Sequence, residues 1–572
     1  MTQRLTIALA QLNPVMGAIT ENLAKLSDIR AQAAKAGAEL VLTPELYACG
    51  YPPEDLVLKP FFVDHVRDEV EAFAATTADG GPAVLLGLPW RDETGLFNAV
   101  AMIEGGKITA IRKKHHLPNY QVFDEKRVFD SGPLPAPIEF KGLRLAVPIC
   151  EDIWFDDVCK HLADQGADII LSPNGSPFTD VKHKTRREVV TARVDETFLP
   201  LVYLNQVCGQ DDLVFDGGSF VMDKANRVTH EMKHFAEDLV IVEFTRDRDG
   251  WWPRGEVTCE RPDRYGEIYA AMMLGLKDYV TKNGFPGVII GMSGGVDSAL
   301  TAAVAVDALG AENVHLVMMP SPYTSDHSLE DAADCAKRLE AHIDSISIEP
   351  AMKAFEGSLN PFFEGVAEDV TEENIQSRAR GVLLMALSNK FGKMVLTTGN
   401  KSEVAVGYAT LYGDMCGGYS VLKDVYKTDV FALCDWRNDN HLDGALGPAG
   451  EVITPRIITK PPSAELRPDQ KDEDSLPPYD VLDDILYCLV EQEMDLSEIE
   501  DRGHDRQTIV DVWKLLDRAE YKRRQSPPGV KIGLKAFTRE RRYPITNRFN
   551  NVAASADARE AAAKAEQKGE AA

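Results

Sequence analysis

Residues 291–298 read Gly291-Met292-Ser293-Gly294-Gly295-Val296-Asp297-Ser298. An apolar run, Val288-Ile289-Ile290, leads in, and a helical apolar run, Ala299-Leu300-Thr301-Ala302-Ala303-Val304, leads out. Strand, glycine turn and helix in that order make an anion site. Glycines let backbone N–H groups close on a phosphate, and the helix N-terminus adds a favourable dipole. The Gly-Lys-Ser/Thr ending of a Walker loop is missing, so no lysine stands here to bridge β- and γ-phosphates. Asp297 stands in its place, suited to holding Mg²⁺ on a leaving pyrophosphate.

Outward from this loop, the text from 265 onward alternates. It reads helix, strand 288–290, helix, strand 314–319, helix 329–340, strand 344–348, long helix, strand 394–397. Such βαβ alternation predicts a parallel Rossmann-like sheet with ligands at the carboxyl ends of its strands, where 293–298 and 398–403 both fall. The first part of the chain, to about 245, carries strand-like runs at 5–12, 40–43, 83–88, 143–147 and 169–171, with a helix at 21–36. Continuous apolar runs predict strands covered on both faces, hence a β sandwich under helices. The charged, Gly/Pro-rich text over 246–263 is the best linker candidate. The segment 551–572 is rich in Ala, Glu and Lys with no apolar face, and reads as a flexible tail.

Composition bounds the rest. At 572 residues the chain is too long for one core. Lys and Arg number 62 against 90 Asp and Glu, a net charge of −28, which excludes a nonspecific nucleic-acid binder. Nine cysteines fall without Cys-x-x-Cys pairs, which points to free thiols in a reducing compartment. No apolar run approaches the roughly 18 residues of a membrane span, and the first residues lead straight into a strand pattern. A cytoplasmic protein that meets no membrane is expected.

A second chemical signal lies upstream. Cys150 in Pro148-Ile149-Cys150-Glu151-Asp152 follows the strand-like 143–147, Glu45 follows 40–43, and Lys114 lies in Arg112-Lys113-Lys114-His115-His116. Taken singly each is weak: free cysteines are mostly small buried hydrophobes, and most glutamates are solvated. Glu, Lys and Cys in this order, each behind an apolar strand, resemble the nitrilase/amidase superfamily. That resemblance implies a general base at Glu45, an oxyanion-holding lysine at Lys114 and a thiolate nucleophile at Cys150. The lysine is expected to lower the thiol pKa. Lys113 competes with Lys114, and the spacing to Leu117-Pro118-Asn119-Tyr120 selects Lys114 in the family pattern. His115 and His116 read as ordinary polar residues, because no third metal ligand is spaced near them. Cys49, Cys159 and Cys208 lack such partner residues and read as packing.

Both signals in one chain resemble the glutamine-dependent NAD⁺ synthetases, from about residue 5 to about 542. Further matches are Phe123-Asp124-Glu125-Lys126-Arg127, Ser172-Pro173-Asn174-Gly175-Ser176-Pro177-Phe178, Glu373-Asn374-Ile375-Gln376-Ser377-Arg378, Thr397-Thr398-Gly399-Asn400-Lys401-Ser402-Glu403 and Tyr521-Lys522-Arg523-Arg524-Gln525. The resemblance implies an α/β protein of two units: a nitrilase-like αββα glutaminase over 1–245 and an adenylating synthetase over 264–550. It implies ATP and Mg²⁺, the substrates deamido-NAD⁺ and glutamine, and a homo-oligomer. Tyr120, Glu125, Ser176 and Lys182 fall where the family holds glutamine. Lys182, among Lys184, Arg186 and Arg187, is also readable as part of a solvated basic face. Residues 291–298 with Thr398 and Lys427 fall at ATP positions. Asn374, Glu403 and Lys522 fall at dinucleotide positions, and Lys522 is also readable as a surface cation. Asp297 and Glu403 are the implied metal ligands. The acidic run 470–476 and the stretch 211–219, whose Gly217-Gly218 pair permits movement, are candidate couplers of the two sites. A nucleotide- or tRNA-modifying ligase is the rival reading. Acidity opposes the tRNA version, and the missing Gly-x-Cys-x-Gly elbow around Cys150 opposes the nucleotide version.

Overall fold

The computed structural model describes residues 3–547, apart from 469 and 538. The tail expected over 551–572 lies outside the described residues, as do 548–550. The chain divides into two compact units, one ending at Arg264 and the other beginning at Tyr265.

In the first unit a seven-stranded sheet runs in the order Gly250–Arg254, Asp238–Asp247, Arg4–Gln11, Leu40–Leu42, Ala83–Asp92, Gly95–Glu104, Lys107–Lys113. A six-stranded sheet runs Val228–Glu231, Phe220–Met222, Leu201–Asn205, Ile169–Asn174, Leu143–Ala146, Ile138–Phe140. Side chains alternate faces along a strand, and the packing follows that period. Leu5, Ile7 and Leu9 enter a core shared with Leu145, Leu171 and Val202 of the other sheet. Ala8 and Ala10 turn instead to Leu26 of helix Ile19–Lys35 and Val66 of helix Pro60–Thr76. On the other sheet Ala146 and Ile170 face Leu162 of helix Asp156–Asp164 and Val190 of helix Lys182–Thr197. The layers are therefore helix, sheet, sheet, helix.

The linker reading over 246–263 is corrected in its first part. Gly250–Arg254 pairs antiparallel with Asp238–Asp247, Thr245 facing Trp252, and forms the edge of the larger sheet. Trp251 is buried in the inter-sheet core. The Gly-Trp-Trp-Pro text looks like a loop because an edge strand tolerates proline and charge.

The second unit carries five parallel strands in the order His342–Ser345, Val314–Met318, Val288–Gly291, Met394–Thr397, Tyr419–Ser420. The order reverses direction at Val288–Gly291, between its two neighbours. That is the topological switch point where open parallel sheets bind ligands. The strand expected over 344–348 runs instead over His342–Ser345, starting two residues earlier. A helical cluster, Tyr479–Val490, Leu496–Asp501 and Arg506–Arg518, builds its own core around Leu486, Ile499 and Ile509. Ala405 of helix Lys401–Val406 packs into it.

Candidate functional sites

In the first unit, Cys150 opens the turn Cys150–Ile153 beyond strand Leu143–Ala146. Its φ is +46°, a left-handed conformation that costs a non-glycine residue on the order of 1–3 kcal/mol. The buried Asp152 holds this turn. One carboxylate oxygen accepts the Ile149 N–H at 2.9 Å, and the other accepts the N–H groups of His115 at 3.0 Å and His116 at 2.8 Å. One side chain thus fastens the cysteine turn to the segment that follows Lys114.

Lys114 is fully buried. Its Nζ lies 2.7 Å from Glu45 Oε1 and 2.8 and 3.0 Å from the two oxygens of Glu125. Asn98 Nδ2 donates to the same Glu45 oxygen at 2.7 Å, the Gly175 N–H donates to Glu45 Oε2 at 2.8 Å, and the Tyr51 hydroxyl donates to Glu125 at 2.8 Å. Gly175 is required at this point: a Cβ would lie 2.8 Å from the Tyr51 ring and 3.1 Å from Glu45. Burial pulls the ammonium pKa of Lys114 down, but Glu125 and Glu45 outweigh it and the net shift is upward. Burial lifts the Glu125 carboxyl to about 7, with Lys114 opposing and Glu45 assisting.

The expected lowering of the thiol pKa is corrected. Burial, followed by the negative charge of Glu45, pushes Cys150 well above an ordinary thiol, and Lys114 opposes only in part. A dry site with two glutamates beside one lysine keeps the resting cysteine protonated, so its attack needs a base at that moment.

Tyr120 is half in solvent, and its hydroxyl donates to Glu151 at 3.0 Å. Ser176 is buried; its N–H donates to Asn205 Oδ1 at 2.9 Å and its Oγ accepts from Arg186 Nε at 3.1 Å. Arg186 in turn grips Asp216 with both oxygens at 2.8 Å. Lys182 Nζ sits over the Trp154 ring at 4.4 Å, two residues beyond Asp152. Tyr51, Asn98, Glu151 and Asp152 escape a reading for chemistry, because no spacing singles them out. The expectation that Gly217 and Gly218 permit movement is also corrected. Gln11 and His234 press on them so closely that a Cβ would meet atoms at 2.4 and 2.6 Å. These glycines serve close packing. The reading of His115 and His116 as lacking a third ligand is corrected too, since Asp157 folds back to within 2.8 Å of His116 Nε2.

In the second unit, Gly294 has φ +79°, and its α-carbon abuts the Ser328 carbonyl, where a Cβ would lie 2.2 Å away. The turn is braced by Ser293 Oγ and Ser298 Oγ, 3.0 Å apart, with Ser298 Oγ donating to the Gly295 carbonyl at 3.0 Å. Helix Val296–Leu309 starts there. Apart from Gly294, residues 291–298 line a cavity of about 290 Å³ together with Thr398, Glu403 and Lys427. Lys427 Nζ pairs with Asp297 and lies 3.2 Å from Glu403 Oε1. Asn400 serves both acids: its amide donates to Asp297 at 2.8 Å, and its Oδ1 accepts the Glu403 N–H at 3.0 Å. Burial raises the Glu403 carboxyl to about 8; Lys427 opposes and Asp297 adds to it. Two carboxylates converging on one cavity wall, incompletely offset by one ammonium, fit a divalent cation with hard oxygen preferences. From the acidic run 470–476, Asp472 reaches the same cavity wall, its carboxylate accepting from the Tyr479 hydroxyl at 2.8 Å.

Asn374 and Lys522 stand apart from that wall. Asn374 Oδ1 accepts from Thr410 at 2.8 Å, and Lys522 Nζ donates to the carbonyls of Gly407 at 2.8 Å and Ala409 at 2.6 Å. Both therefore brace the 407–410 segment that follows Glu403.

A carbon-nitrogen hydrolase family model matches residues 6–254, and an NAD synthase family model matches 268–526. Fold and matches together define the class: a carbon–nitrogen hydrolase unit and an NAD synthase unit in one chain. A glutamine-dependent NAD(+) synthetase of Rhodobacter capsulatus is 51% identical over 551 residues, covering 96% of this chain and 100% of the relative. One from Acinetobacter baylyi is 45% identical over 542 residues, covering 95% and 98%. The structure of a glutamine-dependent NAD+ synthetase from Acinetobacter baumannii in complex with adenosine diphosphate superposes with a TM-score of 0.75 at 43% identity, covering 95% and 99%. The chain belongs to the glutamine-dependent NAD(+) synthetase family.

Proposed function

We propose that the chain makes NAD⁺ from deamido-NAD⁺, ATP and glutamine, with its two units dividing the chemistry. In the first, Cys150 Sγ attacks the side-chain carbonyl carbon of glutamine while Glu45 takes the thiol proton. Lys114 steadies the oxyanion that forms. Collapse expels ammonia, which carries the proton returned by Glu45, and leaves a thioester. Water, deprotonated by Glu45, cleaves the thioester to glutamate and restores the thiol. Glu125 keeps Lys114 aimed, and Tyr120, Ser176 and Lys182 hold the amino-acid end of glutamine.

In the second unit the nicotinate carboxylate of deamido-NAD⁺ attacks the α-phosphorus of ATP, and pyrophosphate leaves into the 291–298 loop. Ammonia then attacks the acyl carbon of the mixed anhydride and expels AMP. Lys427 and Thr398 face the phosphates, and Asn374 and Lys522 act on the dinucleotide through the 407–410 segment. Asp297 and Glu403 would hold Mg²⁺, which offsets phosphate charge when bound. The ADP in the solved relative supports an adenine nucleotide as a ligand of this chain. A homo-oligomer and a cytoplasmic setting go with the reading, supported by the family resemblance and by nine cysteines without Cys-x-x-Cys pairs.

The observation that carries this reading is the pairing, in one chain, of the buried Glu45–Lys114–Cys150 arrangement with the Asp297–Lys427–Glu403 cluster on a glycine loop. The direct test measures NAD⁺ formed from deamido-NAD⁺ and ATP with glutamine or with ammonium as donor. Activity with both donors is expected. Failure with both would reject the reaction, and failure with glutamine alone would reject the glutaminase.

A further inference from the structure

Lys114 is followed directly by His115 and His116, and Asp157 comes seven residues after Cys150. The fold gathers these three side chains at the surface just outside the first site. His116 Nε2 lies 2.8 Å from Asp157 Oδ1, and His115 Nε2 lies 4.0 Å from Asp157 Oδ2. One ligand atom from each falls within 4.8 Å of the others. The His115 ring is fixed from behind, with Nδ1 2.7 Å from the Gly132 carbonyl oxygen. A carbonyl can only accept, so Nδ1 donates to it and Nε2 is the ring nitrogen left facing Asp157. That is how metal-binding imidazoles are oriented in metalloproteins. The His116 ring stacks on Phe155, centroids 4.2 Å apart, which restrains the second imidazole. His115 and His116 are about a quarter exposed and Asp157 nearly half, so a hydrated ion can reach the group and keep water ligands.

We propose that His115, His116 and Asp157 form a site for a divalent transition metal. Two imidazoles and a carboxylate suit Zn²⁺ or Co²⁺, with water completing the coordination. The site ties two segments together. His115 and His116 extend the strand end that carries Lys114, and Asp157 belongs to helix Asp156–Asp164 just beyond the Cys150 turn. Asp152 already joins these segments through main-chain hydrogen bonds, and a bound metal adds a second tie through side chains.

A second trio of similar composition, His315, His342 and Asp344, lies in the other unit. There the two histidines are cross-strand register partners, and Asp344 is the group that both rings meet, at 2.9 and 3.2 Å. It would compete for the same ions. The test therefore uses the full chain carrying His342→Ala, titrated with Co²⁺ and Zn²⁺ in excess Mg²⁺, to occupy the proposed Asp297–Glu403 site, by calorimetry and by the visible spectrum of bound Co²⁺. Expected is one tight ion per chain, with cobalt ligand-field bands and no thiolate-to-cobalt charge-transfer band. Adding His116→Ala or Asp157→Asn should each weaken binding by at least about tenfold. Glutamine-driven NAD⁺ formation with Mg²⁺ but no added transition metal, and the unfolding temperature in chelator, should match the parent in both. Unchanged affinity in both variants would overturn the site. So would a thiolate band, which would make Cys150 the ligand, or no binding at all.

Discussion

The two sites use one motif, a lysine between two carboxylates, at different degrees of dryness. In the first unit the Lys114 and Glu45 side chains are both fully excluded from solvent. Asn98, Tyr51 and the Gly175 N–H complete the hydrogen bonding of the acids. In the second, Lys427 is buried, but Asp297 and Glu403 keep 17% and 18% of their side-chain surface open to the cavity. The closed cluster has its charges partnered within the protein, which is what the proposed attack on one small amide needs. The open one is short of positive charge and long on space, as suits a site that takes polyphosphate and cation together. A buried charge that loses its partner is costly, whereas a half-open one can be rescued by water or an ion. The two lysine–carboxylate groups should therefore fail differently when broken.

The largest effect should come from Cys150→Ala. Glutamine-driven NAD⁺ formation should fall by roughly a thousandfold or more, with the ammonium-driven rate within about twofold of the parent. Parallel assays with the two donors check this, and a loss of both rates would show that the units do not work independently. Next is Lys114→Met. It leaves Glu45 and Glu125 facing each other in a dry core, so the first unit should lose about 3–5 kcal/mol of stability along with its glutaminase activity. Denaturant unfolding followed by Trp fluorescence measures it, since four of the six Trp residues, Trp90, Trp154, Trp251 and Trp252, lie in that unit. The contrasting change in the open cluster, Asp297→Asn or Glu403→Gln, should leave stability nearly unaltered. Each should lower the rate with both donors by roughly ten- to a hundredfold and raise the Mg²⁺ needed for half-maximal activity. An unaltered Mg²⁺ titration would remove that residue from the ligand set.

What was legible in the sequence follows from which forces leave a linear trace. Strands Val288–Gly291, Val314–Met318 and Met394–Thr397 were readable because parallel strands covered on both faces are unbroken apolar runs. Lys107–Lys113 was not, since it is an edge strand whose residues are mostly half-exposed and whose text ends in Arg-Lys. The helices over 479–518 carried no chemical motif and drew no reading. In the sites, Glu45, Lys114 and Cys150 were singled out by a family pattern. Nothing in the text places Glu45 beside Lys114, 69 positions away; that contact exists only after strands Leu40–Leu42 and Lys107–Lys113, with two strands between them, have assembled into one sheet. Asn98 and Tyr51 close the same cluster from segments of ordinary appearance. The third partner of His115 and His116 leaves no trace in spacing for the same reason: Asp157 lies 41 positions from His116 and is brought back by the fold. Asn400 was quoted within a motif, yet its double role as helix cap and acid bridge depends on the position of Asp297, 103 residues earlier.

The smallest effect sharpens the contrast by pH. Burial first, and Glu45 second, raise the Glu125 carboxyl to about 7, while Lys114 pulls the other way. Below the ordinary glutamate range, Glu125 is protonated in both the folded and the unfolded chain and contributes no pH dependence. Above it the unfolded chain releases the proton and the folded chain keeps it. The folded state then binds more protons, so stability contributed by this residue falls as pH rises. The fall ends near pH 7, where the folded carboxyl also ionises. Its slope cannot exceed about 1.4 kcal/mol per pH unit. Glu125→Gln removes the titration while keeping the side-chain shape. The stability of the variant minus that of the parent should therefore climb between about pH 5 and 7 and level off above. Unfolding curves for both proteins across that range read it directly. A difference that stays flat would mean that Lys114 holds Glu125 ionised throughout, and that the closed cluster carries a full negative charge more than this geometry implies.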